Sequence, residues 1–314
     1  MKALVTGGAG FIGSSLCEAL LNEGHQVIAF DDLSTGSSKN IAALTGRAGF
    51  RFVRGDCRKM EEMRPVVHGS EVVFHLAARA NVRLDGADPY EMFEENVTAT
   101  QVLLEATRSE RAKSFVFASS STVYGEPRLL PTPEDYSPLQ PISIYGATKL
   151  ASESIISGYA ATYGLDATIL RLANIVGPRC DRGVIHDFVA GLKSDPLRLR
   201  ILGDGSQRKS YLHVDDCVSA FLIASREAKG VSVLNVGSED QAGVVEIAGV
   251  VAEAMGLHPR YEFTGGVDGG RGWKGDVKSM VLDVGRLKGL GWKPSCGSIG
   301  AVKRTLEGLG IKAS

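Results

Sequence analysis

The sequence predicts an α/β protein with a doubly wound parallel sheet and a smaller, discontinuous C-terminal lobe. Short apolar runs alternate with longer amphipathic ones through the first half, which is typical of parallel strands joined by crossover helices. A glycine-rich turn follows the first apolar run and opens the first helix. After residue 177 the elements become shorter and turns such as GDGS become more frequent, which indicates a second architecture.

The individual elements follow from these runs in chain order. Strands are predicted at 3–6, 26–31, 51–56, 71–78, 114–119 and 166–173. Helices are predicted at 11–24, where Gly24 ends the helix, and at 89–108, 143–163 and 214–226. We expect residues 1–177 to form one domain, to which elements at about 214–236 return, and residues 178–314 to form the lobe.

Composition excludes several classes of protein. The 314 residues carry a formal net charge of −1, so nothing indicates binding to nucleic acid or to an anionic membrane. The five cysteines lie far apart without a CxxC pair, so we predict neither a disulfide framework nor a metal site. We find no signal-peptide pattern and no apolar stretch long enough to span a membrane, and we expect a cytoplasmic location.

The turn TGGAGFIG, residues 6–13, lies where a dinucleotide pyrophosphate binds. Glycines let backbone N–H groups approach the phosphates, and the N-terminus of the following helix favours negative charge. Asp31 ends the second strand, where an acid accepts hydrogen bonds from the ribose and repels a 2′-phosphate. This favours NAD over NADP. Asp56 and Cys57 end the third strand and are candidates to flank the adenine.

Tyr145 and Lys149 are spaced i,i+4, so they share one face of the predicted helix 143–163. A phenol with a pKa of about 10 is a poor base at neutral pH. A neighbouring ammonium favours the phenolate and lowers that pKa, which makes Tyr145 a candidate general base.

Together these motifs resemble the extended short-chain dehydrogenase/reductase family that acts on nucleotide sugars, particularly its archaeal-type UDP-glucose 4-epimerases. The resemblance covers essentially the whole chain, through TGGAGFIG, HLAA, FASSSTVYG, YxxxK, LRLANIVGPR, GDGSQRKSYLHVDD and GRGWKGDV. It implies a Rossmann-type sheet, a tightly held NAD, a UDP-sugar substrate bound by the C-terminal lobe, and a homodimer. The dimer would be a four-helix bundle built from helices 89–108 and 143–163.

The resemblance also implies a set of site residues. The catalytic residues would be Ser120, Tyr145 and Lys149. The cofactor would be bound by Gly7, Gly10, Phe11, Ile12, Gly13, Asp31, Asp32, Ser34, Thr35, Gly36, Asp56, Cys57, Leu76, Ala77, Ala78, Asn96, Tyr145 and Lys149. The substrate would be bound by Ser120, Ser121, Tyr145, Asn174, Val184, Leu202, Arg208, Lys209 and Arg271.

Two motifs depart from the family pattern in the region expected to clamp the diphosphate. Where relatives often have QxRD, this chain has QRKS, so Lys209 takes the usual Arg place and Arg208 lies beside it. Where RxGD is common, this chain has RGWKGD, with Trp273 in the usual Arg place and Arg271 two residues earlier. The sequence does not decide which of the three basic residues reaches the phosphates.

The run Ser119 to Thr122 bears on the reaction. Related 4,6-dehydratases carry Asp and Glu where this chain has Ser121 and Thr122, and neither hydroxyl is a comparable acid or base. The resemblance therefore implies an isomerase that interconverts UDP-glucose and UDP-galactose through a 4-keto sugar. The alternatives are a 4-epimerase of UDP-N-acetylhexosamine or UDP-uronic acid, a nucleotide-sugar 4-ketoreductase, and a non-enzymatic NAD sensor.

Overall fold

The computed structural model describes residues 1–82, 88–226 and 229–311. These residues group into two compact units. The first unit comprises 1–123, 144–171 and 218–234, and the second comprises 124–143, 172–217 and 235–314. The division at residue 177 with return elements at 214–236 stays a prediction. Its residues 227–228 and 312–314 lie outside the described residues.

The strands and helices have the following bounds. The strands are β1 Lys2–Thr6, β2 Gln26–Asp31, β3 Phe50–Arg54, β4 Val72–His75, β5 Ser114–Ser120, β6 Asp166–Leu172, β7 Asn174–Val176, β8 Arg198–Ile201, β9 Arg208–Lys209, β10 Tyr211–His213, β11 Val231–Val236, β12 Ala242–Gly243, β13 Arg260–Phe263 and β14 Ser279–Met280. The helices are α1 Phe11–Asn22, α2 Ser38–Ile41, α3 Met60–Val67, α4 Pro89–Phe93, α5 Ala99–Ser109, α6 Ile144–Tyr163, α7 Val184–Ser194, α8 Val214–Ala224, α9 Val244–Ala254, α10 Gly285–Gly289 and α11 Ser298–Gly308.

A seven-stranded parallel sheet with the order β11-β6-β5-β4-β1-β2-β3 confirms the predicted fold class. β1 pairs in parallel with both β2 and β4, so the chain first builds outward on one side of β1 and then crosses to the other. This reversal creates the crevice at the carboxyl ends of the strands where α/β sheets bind ligands. Thr6, Asp31, His75 and Ser120 are the last residues of four of these strands.

The predicted helix 89–108 is interrupted, which corrects the continuous helix expected from the sequence. Asp88 caps α4 by accepting from the Tyr90 N–H at 2.8 Å. A π turn then spans Glu94–Thr98 before α5 begins. The Asn96 carbonyl accepts hydrogen bonds from two hydroxyls, Thr100 Oγ1 at 2.6 Å and Ser152 Oγ at 3.2 Å. Side-chain hydroxyls that compete for a helical carbonyl are a known cause of such interruptions.

The core of the first unit lies beneath the strand ends. Leu4 on β1, Phe30 on β2 and Phe117 on β5 are at most 1% exposed, and they belong to one cluster with apolar residues of α3, α5 and α6. Close packing of this kind fixes backbone positions tightly. The strand ends that carry the predicted site residues are therefore held by a rigid scaffold.

The second unit is built from short pieces of sheet and a helical core. β7 pairs with β10, β8 pairs with β13, and β9 lies between β12 and β14. Apolar side chains of α7, α9 and α11 form one buried cluster beside β8, with members Ile185, Phe188, Leu192, Leu199, Ile247, Val251 and Leu306. Across the described parts of both units, no helix has the length and apolar character needed to cross a bilayer.

Candidate active site

The glycine turn closes so tightly that three of its positions, Gly7, Gly8 and Gly13, have no room for a side chain. A Cβ at Gly7, where φ is 68°, would lie 2.7 Å from the Ala77 nitrogen. A Cβ at Gly13 would lie 2.0 Å from the Gly7 carbonyl oxygen. Gly10 precedes the first residue of α1, so the turn delivers its backbone to a helix N-terminus at the carboxyl end of β1. The arrangement forms a cradle for an anionic group.

Asp31 is 8% exposed and faces this cradle. Its carboxylate accepts hydrogen bonds from Ala9 N at 3.0 Å and from Leu33 N at 2.8 Å. Burial raises the pKa of Asp31, and these two backbone bonds oppose the increase. A carboxylate offers about four acceptor positions, so two backbone bonds leave it able to accept from ribose hydroxyls.

The loop after β2 contains the other residues predicted for this end of the cofactor. Asp32 Oδ1 accepts from Ser34 N at 2.8 Å, and Thr35 is exposed beside it. A Cβ at Gly36 would lie 2.7 Å from an oxygen of Asp31, so glycine is what allows this loop to close on the carboxylate.

Asp56 and Cys57 follow β3, which ends at Arg54 and not at residue 56 as predicted. Arg58 binds Asp56 with Nε at 2.9 Å and Nη2 at 2.7 Å, and this pairing lowers the pKa of the carboxyl group. Burial raises the pKa of Cys57, so its thiol stays neutral. The pair therefore supplies an ion-paired acid and a small apolar surface, which suits the flank of a base.

The residues predicted at the end of β4 are joined to α6 by a chain of hydrogen bonds. Leu76 N donates to the Thr6 carbonyl at 3.2 Å, and Ala77 and Ala78 follow. Asn96 accepts from Arg79 N at 2.8 Å and donates to Thr148 Oγ1 at 2.9 Å. The buried Asn96 amide thus ties the segment after β4 to the helix that carries Tyr145 and Lys149.

Lys149 is buried, with 3% of its surface exposed, among groups of β5 and α6. Its ammonium donates to the Ala118 carbonyl at 2.9 Å and lies 4.7 Å from the Phe117 ring centre and 5.9 Å from the Tyr145 ring centre. Burial lowers the pKa of Lys149 to about 7, against the opposing charge of Glu153. The predicted pair is thus a half-buried phenol beside a desolvated amine.

The hydroxyl run ends β5 and begins a 3₁₀ turn at Ser121–Tyr124. Ser120 Oγ accepts from Thr122 N at 3.2 Å and from Thr122 Oγ1 at 3.0 Å. Ser121 is 9% exposed, and Ser119 Oγ donates to the Glu153 carboxylate. Each of the four hydroxyl residues thus has a defined place at the strand end.

In the second unit two of the three predicted basic residues are paired with acids of the same unit. Lys209 Nζ lies 2.5 Å from Asp276 Oδ1 and 5.3 Å from the Trp273 ring centre. Arg271 donates to both carboxylate oxygens of Glu126, with Nη2 at 2.6 Å from Oε2. This pairing raises the pKa of Arg271 and lowers that of Glu126.

The other predicted substrate residues of this unit are positioned by backbone contacts. Asn174 on β7 donates its side-chain amide to the Ser210 carbonyl at 3.1 Å. Val184 is the first residue of α7, and Leu202 follows β8. Arg208 is exposed on β9, next to the half-buried Lys209.

Sequence reasoning missed three residues that the structure places beside predicted ones in their own units. Glu153 and Arg171 form a buried ion pair beside Lys149, and Glu126 binds Arg271. The sequence could have indicated Glu153, because it lies four residues after Lys149 on the same helix. Among the residues that the structure describes, no group of three His, Cys, Asp or Glu side chains is arranged to hold a metal ion.

Comparisons with known proteins show where the chain belongs. The profile of the NAD dependent epimerase/dehydratase family matches residues 3–237. UDP-glucose 4-epimerase of Mycolicibacterium smegmatis is 36% identical, over 98% of each chain. A crystal structure of a UDP-galactose 4-epimerase is 40% identical with a TM-score of 0.88, over 99% of each chain. That of UDP-glucuronic acid 4-epimerase from Bacillus cereus, in complex with UDP-glucuronic acid and NAD, is 29% identical with a TM-score of 0.89, also over 99% of each chain. The chain belongs to the NAD dependent epimerase/dehydratase family.

Proposed function

We propose that this protein is an NAD-dependent 4-epimerase that interconverts UDP-glucose and UDP-galactose. The observation that carries the proposal is the buried Lys149 ammonium beside Tyr145, at a strand end whose next two side chains are hydroxyls rather than acids. Such a site can take a proton from a sugar hydroxyl and return it, but it lacks the carboxyl groups with which relatives eliminate water.

The cofactor cradle fits NAD. Gly7 and Gly13 let the backbone of the turn pack closely enough to bring the N-terminus of α1 to the end of β1, where a pyrophosphate can bind. The buried carboxylate of Asp31 suits free ribose hydroxyls and repels a 2′-phosphate. When bound, NAD supplies the acceptor and later the donor of a hydride.

The residues of the chain perform the proton chemistry. Tyr145 as phenolate takes the proton of the sugar 4-hydroxyl, and Ser120 hydrogen-bonds that hydroxyl and orients it. Lys149 favours the phenolate through its charge. After the 4-keto sugar rotates, Tyr145 returns the proton to an oxygen whose carbon has been reduced on the opposite face.

A dehydratase is disfavoured by the groups that follow Ser120. Ser121 is buried, and the Thr122 hydroxyl donates to Ser120 Oγ at 3.0 Å. Neither is an acid or base near neutral pH. Once C4 is a ketone, the chain therefore has no group at these positions to remove the proton at C5, and return of the hydride remains.

Residues of the second unit would bind the nucleotide. We propose that Asn174, Val184 and Leu202 contact the UDP part and that the diphosphate is held by a subset of the basic residues Arg208, Lys209 and Arg271. A bidentate guanidinium suits a phosphate, which favours Arg271 over the lysine already tied to Asp276. A UDP-uronic acid 4-epimerase is the second candidate, supported by the similarity to the B. cereus enzyme.

The test is incubation of the purified protein with UDP-galactose and no added cofactor, followed by chromatography of the nucleotide sugars. We expect UDP-glucose to appear, because NAD that is restored in each cycle need not leave. No conversion, even after addition of NAD, would overturn the choice of substrate. UDP-N-acetylglucosamine and UDP-glucuronate are then the next substrates to assay.

We also propose a homodimer formed by the bundle of α4–α5 and α6. Tyr90 and Phe93 on α4 are 70% and 47% exposed, more than large apolar residues usually are. Along α6 the exposed positions include the small residues Ala147, Ser154 and Gly158, which allow helices to approach closely. Both features suit helix packing against a second copy.

Gly158 provides a test of the dimer. A Cβ at this position meets open space within the protomer, so Gly158→Arg should leave the fold intact. If α6 packs against its copy, the variant should be monomeric by sedimentation equilibrium while the wild type is a dimer. If Gly158→Arg sediments with the same mass as the wild type, any dimer interface lies elsewhere on the protein. Gly289→Arg on α10, which also meets open space but lies outside the proposed bundle, is the matched control.

A further inference from the structure

An ion pair lies buried one helical turn beyond Lys149, and the proposed mechanism does not use it. Glu153 on α6 is 4% exposed, and Arg171 on β6 is 5% exposed. Arg171 Nη2 lies 2.7 Å from Oε2 of Glu153, and Nε lies 3.1 Å from Oε1. Removing two charges from water is costly, and well-packed apolar residues often serve a core equally well. Stability alone therefore does not account for an ion pair at this position.

The pair connects directly to the strand end that carries the catalytic hydroxyl. Ser119 Oγ donates to Glu153 Oε1 at 2.5 Å. Ser119 lies between Ala118, whose carbonyl accepts from the Lys149 ammonium, and Ser120. The Glu153 carboxylate thus fixes the backbone segment that holds Lys149 on one side and presents Ser120 on the other.

We propose that Glu153 is a positioning residue for Tyr145 and Lys149: its carboxylate, held by Arg171 and Ser119, sets both the place and the charge of the Lys149 ammonium. The inference rests on the proposed function for its catalytic meaning, because there the ammonium favours the Tyr145 phenolate. It concerns the protonation of Lys149 itself and can be measured without substrate.

The charges around Lys149 predict effects of opposite sign for the two members of the pair. The titratable groups that interact with Lys149 include Tyr145 and Glu153 on α6 and His75 on β4, and Arg171 on β6 is paired with Glu153. Burial lowers the pKa of Lys149 to about 7, and the Glu153 charge raises it. Burial also lowers the pKa of His75 to about 3, so this ring is neutral near pH 7. Loss of the Glu153 charge should therefore ease deprotonation of Lys149, and loss of the Arg171 charge should hinder it.

The experiment is a carbon-13 NMR titration of protein labelled with [13C]lysine, in which the Lys149 signal is assigned by its loss in Lys149→Met. In Glu153→Gln we expect the Lys149 midpoint to fall by about one pH unit, and in Arg171→Gln we expect it to rise by a smaller amount, because Arg171 lies behind Glu153. Glu71→Gln, which removes an exposed partner of Lys113, is the matched control and should leave the midpoint unchanged.

A double variant covers the case in which a single variant does not fold. Glu153→Gln with Arg171→Gln leaves neither charge unpaired in the core. Because Glu153 lies one helical turn from Lys149, its loss should dominate, so the Lys149 midpoint should lie below that of the wild type and above that of Glu153→Gln. An unchanged midpoint in the double variant, or single variants that shift in the same direction, would overturn the inference.

Turnover provides the second readout. The alkaline limb of kcat for epimerisation should follow the Lys149 midpoint, moving to lower pH in Glu153→Gln and to higher pH in Arg171→Gln. A uniform loss of activity with an unmoved limb would indicate a structural role alone and would reject the positioning role. Opposite NMR shifts in a protein that turns over no nucleotide sugar would reject the proposed function and support the inference about Lys149.

Discussion

The predicted charged groups of the two compact units differ in the partners that hold them. In the first unit, Lys149 is buried and already bound to a backbone carbonyl of β5, beside Tyr145. In the second unit, Lys209 and Arg271 are bound to carboxylates of their own unit. Site roles are proposed for all of these residues, yet Lys149 lies beside its proposed partner Tyr145, whereas Lys209 and Arg271 are held by protein carboxylates.

The difference teaches what each role demands of the fold. A group that transfers a proton must be fixed at the reacting atoms beforehand, because errors of position are costly to rate. A group that binds a diphosphate needs only to be within reach, because an exposed ion pair to a protein carboxylate is weak and can be exchanged for a phosphate. A fixed Lys149 in the first unit and an exchangeable Arg271–Glu126 pair in the second are both consistent with the proposed epimerase.

The largest effect is expected from Tyr145→Phe. The phenyl ring keeps the bulk of the side chain but cannot take the 4-hydroxyl proton, so kcat should fall by about a thousandfold, within the usual range for general acid–base groups. The measurement is single-turnover conversion of UDP-galactose, with the NAD content determined after denaturation. Near-normal turnover of Tyr145→Phe would show that Tyr145 does not take the proton of the 4-hydroxyl.

The next effect concerns Asp31. Asp31→Ala should weaken NAD binding about 10- to 100-fold, the range for loss of hydrogen bonds to a charged group, and should narrow the preference for NAD over NADP. Calorimetric titration of the cofactor-free protein with NAD and with NADP measures the affinity and the preference. Asp32→Ala removes the neighbouring carboxylate and should have a smaller effect. Unchanged NAD affinity in Asp31→Ala would reject the ribose assignment.

A third effect tests the cost of burying an ionisable group in the first unit. The His75 ring is fully buried, with Nδ1 2.8 Å from the Thr6 hydroxyl and Nε2 3.0 Å from Thr100 Oγ1. Thr100 donates its own proton to the Asn96 carbonyl, which assigns the ring proton to Nε2. Burial lowers the pKa of His75 from 6.5 to about 3 in the folded protein.

Because the folded pKa lies below the unfolded one, the unfolded chain binds the proton first. The contribution of His75 to stability should be constant above about pH 6.5, fall as the pH decreases, and be lower by about 2 kcal/mol at pH 5. Urea midpoints at pH 7 and pH 5 measure this loss. His75→Gln should be less stable at pH 7 but should lose less between the two values. An equal loss in both proteins would assign the acid sensitivity to other groups.

What the sequence could predict depends on how local each signal is. The strand ends and the glycine turn follow from patterns within a few residues, and the Tyr145–Lys149 pair follows from one helical turn. At the π turn, the Asn96 carbonyl accepts from Ser152, which is far along the chain from Asn96. The partner of Glu153 is Arg171, and the two side chains meet only because β6 and α6 pack against each other. Pairings of this kind depend on tertiary packing, so no spacing in the sequence indicates them.

The smallest effect bears most directly on the second unit. If Arg271 is to bind the diphosphate, it must leave Glu126, whose side chain is 42% exposed. Glu126→Gln removes the competing charge, and UDP should then bind up to about fivefold more tightly, the limit expected for an exposed ion pair. Titration calorimetry with UDP measures the change. Glu239→Gln, which frees the exposed Lys288 in the same unit, is the matched control and should leave the affinity unchanged.

The sign of this change distinguishes the roles open to Arg271. Tighter binding in Glu126→Gln, together with weaker binding in Arg271→Ala, would mean that the ligand exchanges one carboxylate for its own phosphate. Weaker binding in both variants would mean that the pair acts as a fixed structural unit. In that case Lys209 or Arg208 would have to bind the diphosphate. Lys209 could do so only by breaking its ion pair with the buried Asp276. Because Asp276 is 2% exposed, releasing Lys209 would leave an unpaired charge in the interior, which makes Arg271 the less costly source of positive charge.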